Sequence, residues 1–310
     1  MERLRVVQDQ EEARFLWESL MPEDVVTDLW EVRACFHHHF RRPMHFITGE
    51  ADGRPTGLLP LSWVEEQGAY AFFPGETWHG RTWLEQNFIA GSDVTRLLDA
   101  VPGPYHIRYL SPRCLTDAGE QPSVDEIGYL FTPAQHGYDM ENYWSQFSGK
   151  SQKRLRREIQ SIADRGLEWR YDHPGDFDLM IAMNVQRFGA ESYFSDPRFS
   201  WGFAEMVQLF KDRGWLRVTT ALVEGQVAAV DIGVLYKGVY TLLAGGTNPS
   251  FPGVAKVINM HHMHRACQER TREVDFLCGD FNWKKMFHLQ ERPLYLAAGT
   301  AARAALRQSG

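Results

Sequence analysis

The feature that most constrains the fold is a run of three strand-like segments in the second half of the chain, separated by two glycine turns. The segments are 215–223, 226–236 and 239–244, and the turns carry Gly225 and Gly238. Alternate residues of the first segment place Leu, Val, Thr and Leu on one face, which is the period of a half-buried strand. Because a short glycine turn between two such segments is a hairpin signal, the sequence predicts a three-stranded antiparallel meander.

The segments after this meander predict a crossover. A loop rich in glycine and proline (245–253) leads into a helical stretch (254–270), and a strand-like stretch (273–278) follows it. Since one helix separates this strand from the meander, we expect the strand to lie parallel to the last strand of the meander.

The first half of the chain shows the same order of elements. Its turn glycines, Gly53 and Gly68, are 15 residues apart, compared with 13 for Gly225 and Gly238. The predicted strands are 45–50, 54–65, 69–73 and 105–110, with a helix at 93–100, and further helices at 11–20, 22–40, 151–165, 177–187 and 198–213 precede the meanders. We therefore predict an α/β fold with a mixed sheet and two domains of one topology, residues 1–135 and 136–310.

Composition and charge limit the function classes. The 310 residues are 44% hydrophobic and 24% charged, which is typical of a globular protein. The net charge of −7 argues against binding a polyanion over the whole surface, so any anion site has to be local. The sequence has no run of roughly 20 apolar residues and no secretory leader. We therefore expect a cytoplasmic protein without a membrane span, whose oligomeric state the sequence does not indicate.

Metal and disulfide sites are not expected. The four cysteines (Cys35, Cys114, Cys267 and Cys278) are too far apart in sequence for a disulfide framework or a zinc site. The consecutive residues His37–His39 point in different directions on a helix, and His261 and His264 have no carboxylate at ligand spacing. We interpret these histidines as helix-face residues.

Four motifs in the second half carry a family resemblance. They are the basic helix Lys150–Arg157 closed by Arg165-Gly166, the strand entry Val227-Ala228-Ala229, the turn Phe251-Pro252-Gly253, and Asp275–Asp280 followed by Trp283-Lys284. With the order of elements, they resemble the CelD/BcsL-type branch of the GNAT acyltransferase superfamily, which is related to the tandem-GNAT FemAB group. The resemblance covers residues 140–290 in detail and the first half in topology only. It implies two tandem GNAT-like domains, of which the first is degenerate and available for acceptor recognition.

The loop before the second crossover helix is the predicted donor site. Acyl-CoA carries a pyrophosphate, and free backbone N–H groups at a helix N-terminus bind such anions. The predicted binding residues are Ser250, Gly253, Val254, Ala255 and Lys256. The GNAT pattern Gln/Arg-x-x-Gly-x-Gly/Ala keeps its Gly and Ala here but lacks the leading Gln/Arg. A plain Pro-Gly helix start is the alternative, and an aminoacyl-tRNA donor remains open.

The basic helix is a second candidate anion site. Lys153, Arg154 and Arg157 project from it, although cations near a helix N-terminus cost about 0.3–1 kcal/mol each. An anionic ligand that offsets this cost is one interpretation. A solvated basic face is the other.

Three residues are candidates for the chemistry. By the resemblance, Asp280 lies in the active region as a base or acceptor-positioning group, and Lys284 stabilises developing negative charge or holds a donor phosphate. Asp231 shares a strand face with two small residues, as the floor of a pocket would. The alternatives are a turn-stabilising aspartate, an exposed strand lysine and an edge-strand carboxylate, respectively.

The leading hypothesis is an N-acyltransferase that uses acyl-CoA, with acetyl-CoA expected first, and no metal. The acceptor is an amine on a small molecule, glycan or peptide, and the resemblance suggests a polysaccharide or cell-envelope pathway. One alternative is an aminoacyl-tRNA-dependent transferase of the FemAB type, the only case that involves a nucleic acid. The other is a non-catalytic binding module that kept the fold.

Overall fold

A computed structural model describes residues 3–114, 123–279 and 281–300. The chain divides into two compact units. Among the described residues, the first unit contains 3–114, 123–127, 196–206 and 293–300, and the second contains 128–195, 207–279 and 281–292.

The helices and strands have the following bounds. The strands are β1 Arg3–Val7, β2 Met44–Ala51, β3 Arg54–Val64, β4 Ala69–Phe72, β5 Thr77–Trp78, β6 Arg81–Thr82, β7 Tyr105–Leu110, β8 Ser123–Phe131, β9 Leu167–Tyr171, β10 Leu216–Val223, β11 Gln226–Tyr236, β12 Val239–Thr247, β13 Glu273–Asp275 and β14 Gln290–Gly299. The α-helices are α1 Gln10–Leu20, α2 Trp30–Phe40, α3 Val94–Asp99, α4 Met140–Trp144, α5 Gly149–Ala163, α6 Asp176–Phe188, α7 Pro197–Asp212, α8 Val254–Gln268 and α9 Asn282–Met286.

The first unit is built on an antiparallel run of β1, β2, β3 and β4. β7 lies parallel to β4 at the pair Tyr70–Tyr105, and β14 is antiparallel to β7. Aromatic rings from α1, α2 and the sheet fill the core, where Trp30 stacks on Phe73 with ring centroids 5.1 Å apart. A meander, a short helix and a parallel strand are therefore all present.

The second unit repeats this plan. β9, β10, β11 and β12 are antiparallel neighbours, β13 is parallel to β12, and residues of β8 are antiparallel to β13. α5 and α8 share one apolar cluster with this sheet, which contains Ile162, Val254 and Ile258. α6 contacts β11 and β12. The predicted mixed sheet with a repeated topology is confirmed.

The predicted element bounds differ from the structure at a few places. The stretch 22–40 contains a 3₁₀ turn before α2, and the predicted strand 273–278 ends at Asp275. Its carboxylate Oδ1 accepts a hydrogen bond from the Leu277 N–H at 2.9 Å, and Leu277 has a φ of 55°. This positive φ turns the chain out of the sheet, so the strand cannot continue.

Candidate functional site

The parallel strands β12 and β13 separate soon after they meet. They pair from Val239–Glu273 to Thr241–Asp275 only, whereas β12 runs on to Thr247. Beyond Thr241, β11 is the only strand partner of β12 among the residues that the structure describes. Backbone polar groups without a strand partner can bind an extended ligand, so the separation forms a natural groove.

A β-bulge lies at the start of this groove. Ile232 pairs with Ala244 and Gly233 pairs with Leu242, so Leu243 is an extra residue in β12. A bulge re-aims the backbone groups of the strand that contains it. The bulge therefore turns backbone of β12 at the point where β13 leaves.

The chain turns from β12 into α8 through a corner made by its own backbone. The Asn248 N–H donates to the Ala228 carbonyl at 2.8 Å, and the Asn248 side chain accepts from the Ser250 N–H at 3.0 Å. Phe251 is buried in the core below. These contacts fix the direction in which α8 begins.

Gly253 is the N-cap residue of α8, with a φ of 93° that favours glycine. Its cap makes no side-chain hydrogen bond, and a Cβ built on Gly253 would meet nothing within 4 Å. A helix N-terminus without a side-chain cap is the arrangement that binds phosphate, although here the Val254 N–H donates to the Phe251 carbonyl at 3.2 Å and the Lys256 N–H donates to the Gly253 carbonyl at 3.0 Å. The corner therefore has the form that the sequence predicts for a donor site.

A cleft of about 560 Å³ opens at this corner. That volume is in the usual range for small-molecule sites. Its lining residues come from α6, from the corner and the first turn of α8, and from α9: Met183, Gln186, Arg187, Thr247, Asn248, Pro249, Phe251, Pro252, Gly253, Val254, Ala255, Lys256 and Trp283. Of the five predicted donor-binding residues, four lie in this lining, and Ser250 is exposed beside it.

Two cations lie at the cleft. The guanidinium of Arg187, on α6, donates from Nη1 to the Thr247 hydroxyl at 3.0 Å. Lys256 Nζ lies 2.5 Å from Glu158 Oε2, and this hydrogen bond lowers the pKa of Glu158. Arg187 is far from the corner in sequence and belongs to no motif, so sequence reasoning missed it. It brings a cation to the loop 248–253, which lacks the leading Gln/Arg of the GNAT pattern.

The cations of the basic helix α5 have different surroundings. Lys153, Arg154 and Arg157 are all exposed, and Arg154, whose side chain is 61% exposed, also lines a smaller cavity of about 140 Å³ together with Lys256. Arg156 instead pairs with Glu141 at 2.6 Å. Of the three predicted anion-binding residues, the structure therefore brings Arg154 together with the corner of α8.

Lys284 lies on α9 and is 2% exposed. Its Nζ donates to the carbonyl oxygens of Phe276, Leu277 and Cys278 at 2.9, 2.9 and 2.7 Å. It is neither an exposed strand lysine nor part of the cleft lining. Asp280, the predicted base, lies outside the described residues.

Asp231 lies in the core rather than at the cleft. It is 4% exposed, and its Oδ2 lies 2.9 Å from Nε2 of His262, on α8. The ring of Tyr240 packs on His262 with centroids 5.0 Å apart. Neither an edge-strand carboxylate nor the floor of the donor cleft describes this residue. Sequence reasoning missed His262, because its partner is distant in the chain.

The remaining histidines mostly contact other side chains. His38 and His39 both lie within 3.0 Å of the carboxylate of Glu205, and His261 stacks on Trp169.

No group of three His, Cys, Asp or Glu side chains is placed to hold a metal within the described ranges. Within those ranges, too, no helix is both long and apolar enough to cross a membrane.

The equivalent groove of the first unit is filled by its own chain. Asn87 N–H donates to the Tyr109 carbonyl at 2.9 Å, and Ala90 exchanges two backbone hydrogen bonds with Leu58 of β3. The segment 87–90 thus lies between β3 and β7, where β4 has ended. The cavity left beside it measures about 10 Å³, room for about one water.

The crossover helix of the first unit is also closed at its N-terminus. The Asp93 side chain caps α3 by accepting from the Arg96 N–H at 2.9 Å. A carboxylate at this position repels a phosphate. The two units therefore share a topology, but only the crossover helix of the first unit has a side-chain cap.

The comparison with protein families also distinguishes the two halves of the chain. Residues 149–285 match the family model described as an acetyltransferase (GNAT) domain, which is somewhat less than half of the chain. The region that carries the cleft is therefore similar in sequence to a GNAT acetyltransferase domain. No curated protein sequence matches the chain.

Solved structures extend the likeness to the whole chain. FemX has a TM-score of 0.59 at 11% identity, with 99% of each chain covered. L-PGS from Bacillus licheniformis has a TM-score of 0.56 at 10% identity, covering 97% of this chain and 96% of that one. A tandem GNAT protein from the clavulanic acid biosynthesis pathway has a TM-score of 0.52 at 12% identity, covering 97% and 99%. The protein thus has the tandem GNAT fold.

Proposed function

We propose that this protein is an N-acyltransferase that moves an acyl group from acyl-CoA to an amine. The observation that carries the proposal is the uncapped N-terminus of α8, which opens into a cleft of about 560 Å³. The backbone N–H groups of its first turn, with Arg187 and Lys256, would bind the donor pyrophosphate. The groove along Leu242–Thr247 would bind the two amides of the pantetheine arm, which places the thioester near the bulge at Leu243.

The chemistry is a substitution at the thioester carbonyl. The amine nitrogen attacks the carbonyl carbon, a C–N bond forms, the C–S bond breaks, and the CoA thiolate takes up the proton that the amine loses. Backbone N–H groups near the bulge are suited to stabilise the transient oxyanion. We propose Asp280 as the base that carries the amine proton.

The burial of Lys284 and Asp231 favours indirect roles for both. The three carbonyl acceptors of Lys284 equal the three donors of an ammonium group, so it is suited to order the turn that precedes Asp280. Asp231 is suited to hold α8 on the sheet through His262. We assign neither residue a contact with the acyl group.

The two domains would have different roles. With its groove filled and its helix capped, the first unit is suited to recognise the acceptor rather than a donor. A glycan or peptide amine in an envelope or polysaccharide pathway fits the family resemblance.

Donor binding is tested by thermal shift with acetyl-CoA, longer acyl-CoAs and aminoacyl-tRNA. A ligand at 100-fold its Kd stabilises the folded state by about 2.7 kcal/mol. We expect acyl-CoA to stabilise the wild type and Gly253→Trp to abolish that shift, because the indole would fill the phosphate position. In Asp280→Asn, donor binding should persist while turnover is lost.

A matched control separates blocked binding from backbone strain. Gly225 also has a positive φ, 71°, and a Cβ at this position would likewise meet nothing within 4 Å. Gly225→Trp should therefore cost a similar amount of stability, about 1–2 kcal/mol, and keep the acyl-CoA shift. An unchanged shift in Gly253→Trp contradicts the proposed donor site.

An aminoacyl-tRNA donor is the second candidate. The exposed cations Lys150, Lys153 and Arg157 on α5, which have no salt bridge in the described part of the chain, favour it. Stabilisation by aminoacyl-tRNA but by no acyl-CoA would select this candidate. No response to any donor would favour a non-catalytic module.

A further inference from the structure

Two cavities of the second unit share the side chain of Lys256. One is the donor cleft, and the other is the cavity of about 140 Å³. α9 also reaches both, through Trp283 in the cleft and Met286 in the smaller cavity. The two cavities are therefore neighbours along the first turn of α8.

One face of α5 forms a wall of the smaller cavity. Ser151, Arg154, Leu155 and Glu158 all line it, and their spacing of three and four residues places them on one side of a helix. Arg154 is thus the cation that α5 brings to this cavity, beside Lys256 from α8.

Glu158 already holds both cations in the way an anionic ligand would. Its Oε2 lies 2.5 Å from Lys256 Nζ, and its Oε1 lies 4.0 Å from Arg154 Nε. The side chains of Glu158 and Lys256 are 40% and 30% exposed, so the pair is a weak surface contact that a doubly charged anion can replace.

The order of these features along the protein matches the order of groups in CoA. The groove beside β12 leads to the N-terminus of α8, then to Lys256, and then to the smaller cavity. In CoA, the pantetheine arm leads to the pyrophosphate, and then to a ribose that carries a 3′-phosphate. A donor bound in this direction brings its phosphate monoester to Arg154.

We propose that the smaller cavity binds the 3′-phosphate of the donor, with Arg154 and Lys256 as its cations and Glu158 as the internal anion that it displaces. The inference rests on the proposed acyl-CoA function and adds a specificity determinant to it. It predicts that the protein distinguishes CoA from 3′-dephospho-CoA.

Calorimetric titration with these two compounds tests the proposal. We expect the wild type to bind CoA about three- to tenfold more tightly than 3′-dephospho-CoA, the size of one charge-assisted contact at a partly exposed site. Arg154→Gln should reduce this difference by weakening CoA alone, since 3′-dephospho-CoA has no group at Arg154 and Lys256 remains as the second cation. Glu158→Gln should strengthen CoA binding, because the competing carboxylate is gone.

Arg156→Gln is the matched control on the same helix. Its guanidinium pairs with Glu141 and lies 4.8 Å from the Trp144 ring, outside the cavity lining, so the preference for CoA should persist. A thermal melt of each variant verifies that it is folded.

The possible failures are distinguishable. If the wild type binds both compounds equally, the phosphate site is overturned while the donor cleft stands. If Arg154→Gln keeps the full preference for CoA, the assignment to this cavity is overturned. If neither compound binds, or only aminoacyl-tRNA does, the proposed acyl-CoA function fails and this inference fails with it.

Discussion

At the residue scale, the ammonium group of Lys284 closes the turn that follows β13. Three consecutive carbonyls, from Phe276 to Cys278, point to its Nζ in a site that is 2% exposed. Buried carbonyl groups need donors, and here one side chain supplies them. The conformation of the segment that leads to Asp280 therefore depends on this lysine.

Replacing Lys284 by methionine should lower the free energy of unfolding by about 2–4 kcal/mol, because the carbonyls lose a charged donor. Urea denaturation measures this change. The control is Lys285→Met, an exposed neighbour on α9, which should shift stability by no more than about 0.5 kcal/mol. Equal effects of the two substitutions would contradict the role given to Lys284.

At the element scale, aromatic contacts hold the edge strand β9 to α8. The ring of His261 stacks on Trp169 with centroids 3.7 Å apart, and the Tyr171 hydroxyl lies 3.0 Å from its Nε2. Burial, aided by the nearby positive groups of α8, lowers the pKa of His261 to about 3. The folded protein therefore keeps this imidazole neutral, and Tyr171 donates the hydrogen bond.

The stability of the fold should depend on pH through His261. Between pH 6.5 and about 3, the unfolded chain binds a proton that the folded chain does not, so stability falls as the pH is lowered through this window. One pKa unit corresponds to about 1.4 kcal/mol, and the loss from pH 7 to pH 4.5 should be about 3 kcal/mol.

The His261→Phe variant keeps a stacking ring but cannot be protonated, so it should lack this loss. Urea denaturation of wild type and variant at pH 7 and pH 4.5 measures the difference, and His264→Phe, at an exposed position of α8, is the control. Parallel changes in wild type and His261→Phe would contradict the assignment.

Elements with local signals could be predicted from the sequence. The predicted strand 226–236 has the same two ends as the observed β11, because each end adjoins a turn that contains a glycine. β9 was not predicted, because its residues are half-buried or exposed and show no clean alternation. β14 was not predicted either, because Pro293 lies within it and proline is unusual in a strand.

The candidate site could be predicted only where it is contiguous in sequence. The corner from Asn248 to Lys256 is one segment, so a motif could indicate it. Arg187 reaches the corner from α6, and His262 meets Asp231 across 31 residues. Contacts of this kind depend on how helices pack on the sheet, which no local pattern encodes.

At the scale of the whole molecule, the two units differ in what fills the groove after the meander. In the second unit, no described strand other than β11 pairs with β12 beyond Thr241, and the Gly245 carbonyl accepts from the Asn184 side chain at 3.1 Å; in the first unit the groove contains residues 87–90. A duplicated fold therefore does not imply a duplicated donor site.

Each chain should bind one molecule of acyl-CoA. Isothermal titration of the purified protein measures the stoichiometry. The Gly253→Trp variant should show no binding of acyl-CoA at any other site. A stoichiometry of two, or residual binding in that variant, would contradict the conclusion that the first unit has no donor site.

The segment 87–90 has a consequence for inhibitors. A compound that imitates the pantetheine arm would have to displace, in the first unit, a peptide that is tethered to its own groove and so never dilutes away. In the second unit, no described segment of the chain pairs with β12 in this way beyond Thr241. Such a compound should therefore bind the second unit in preference to the first.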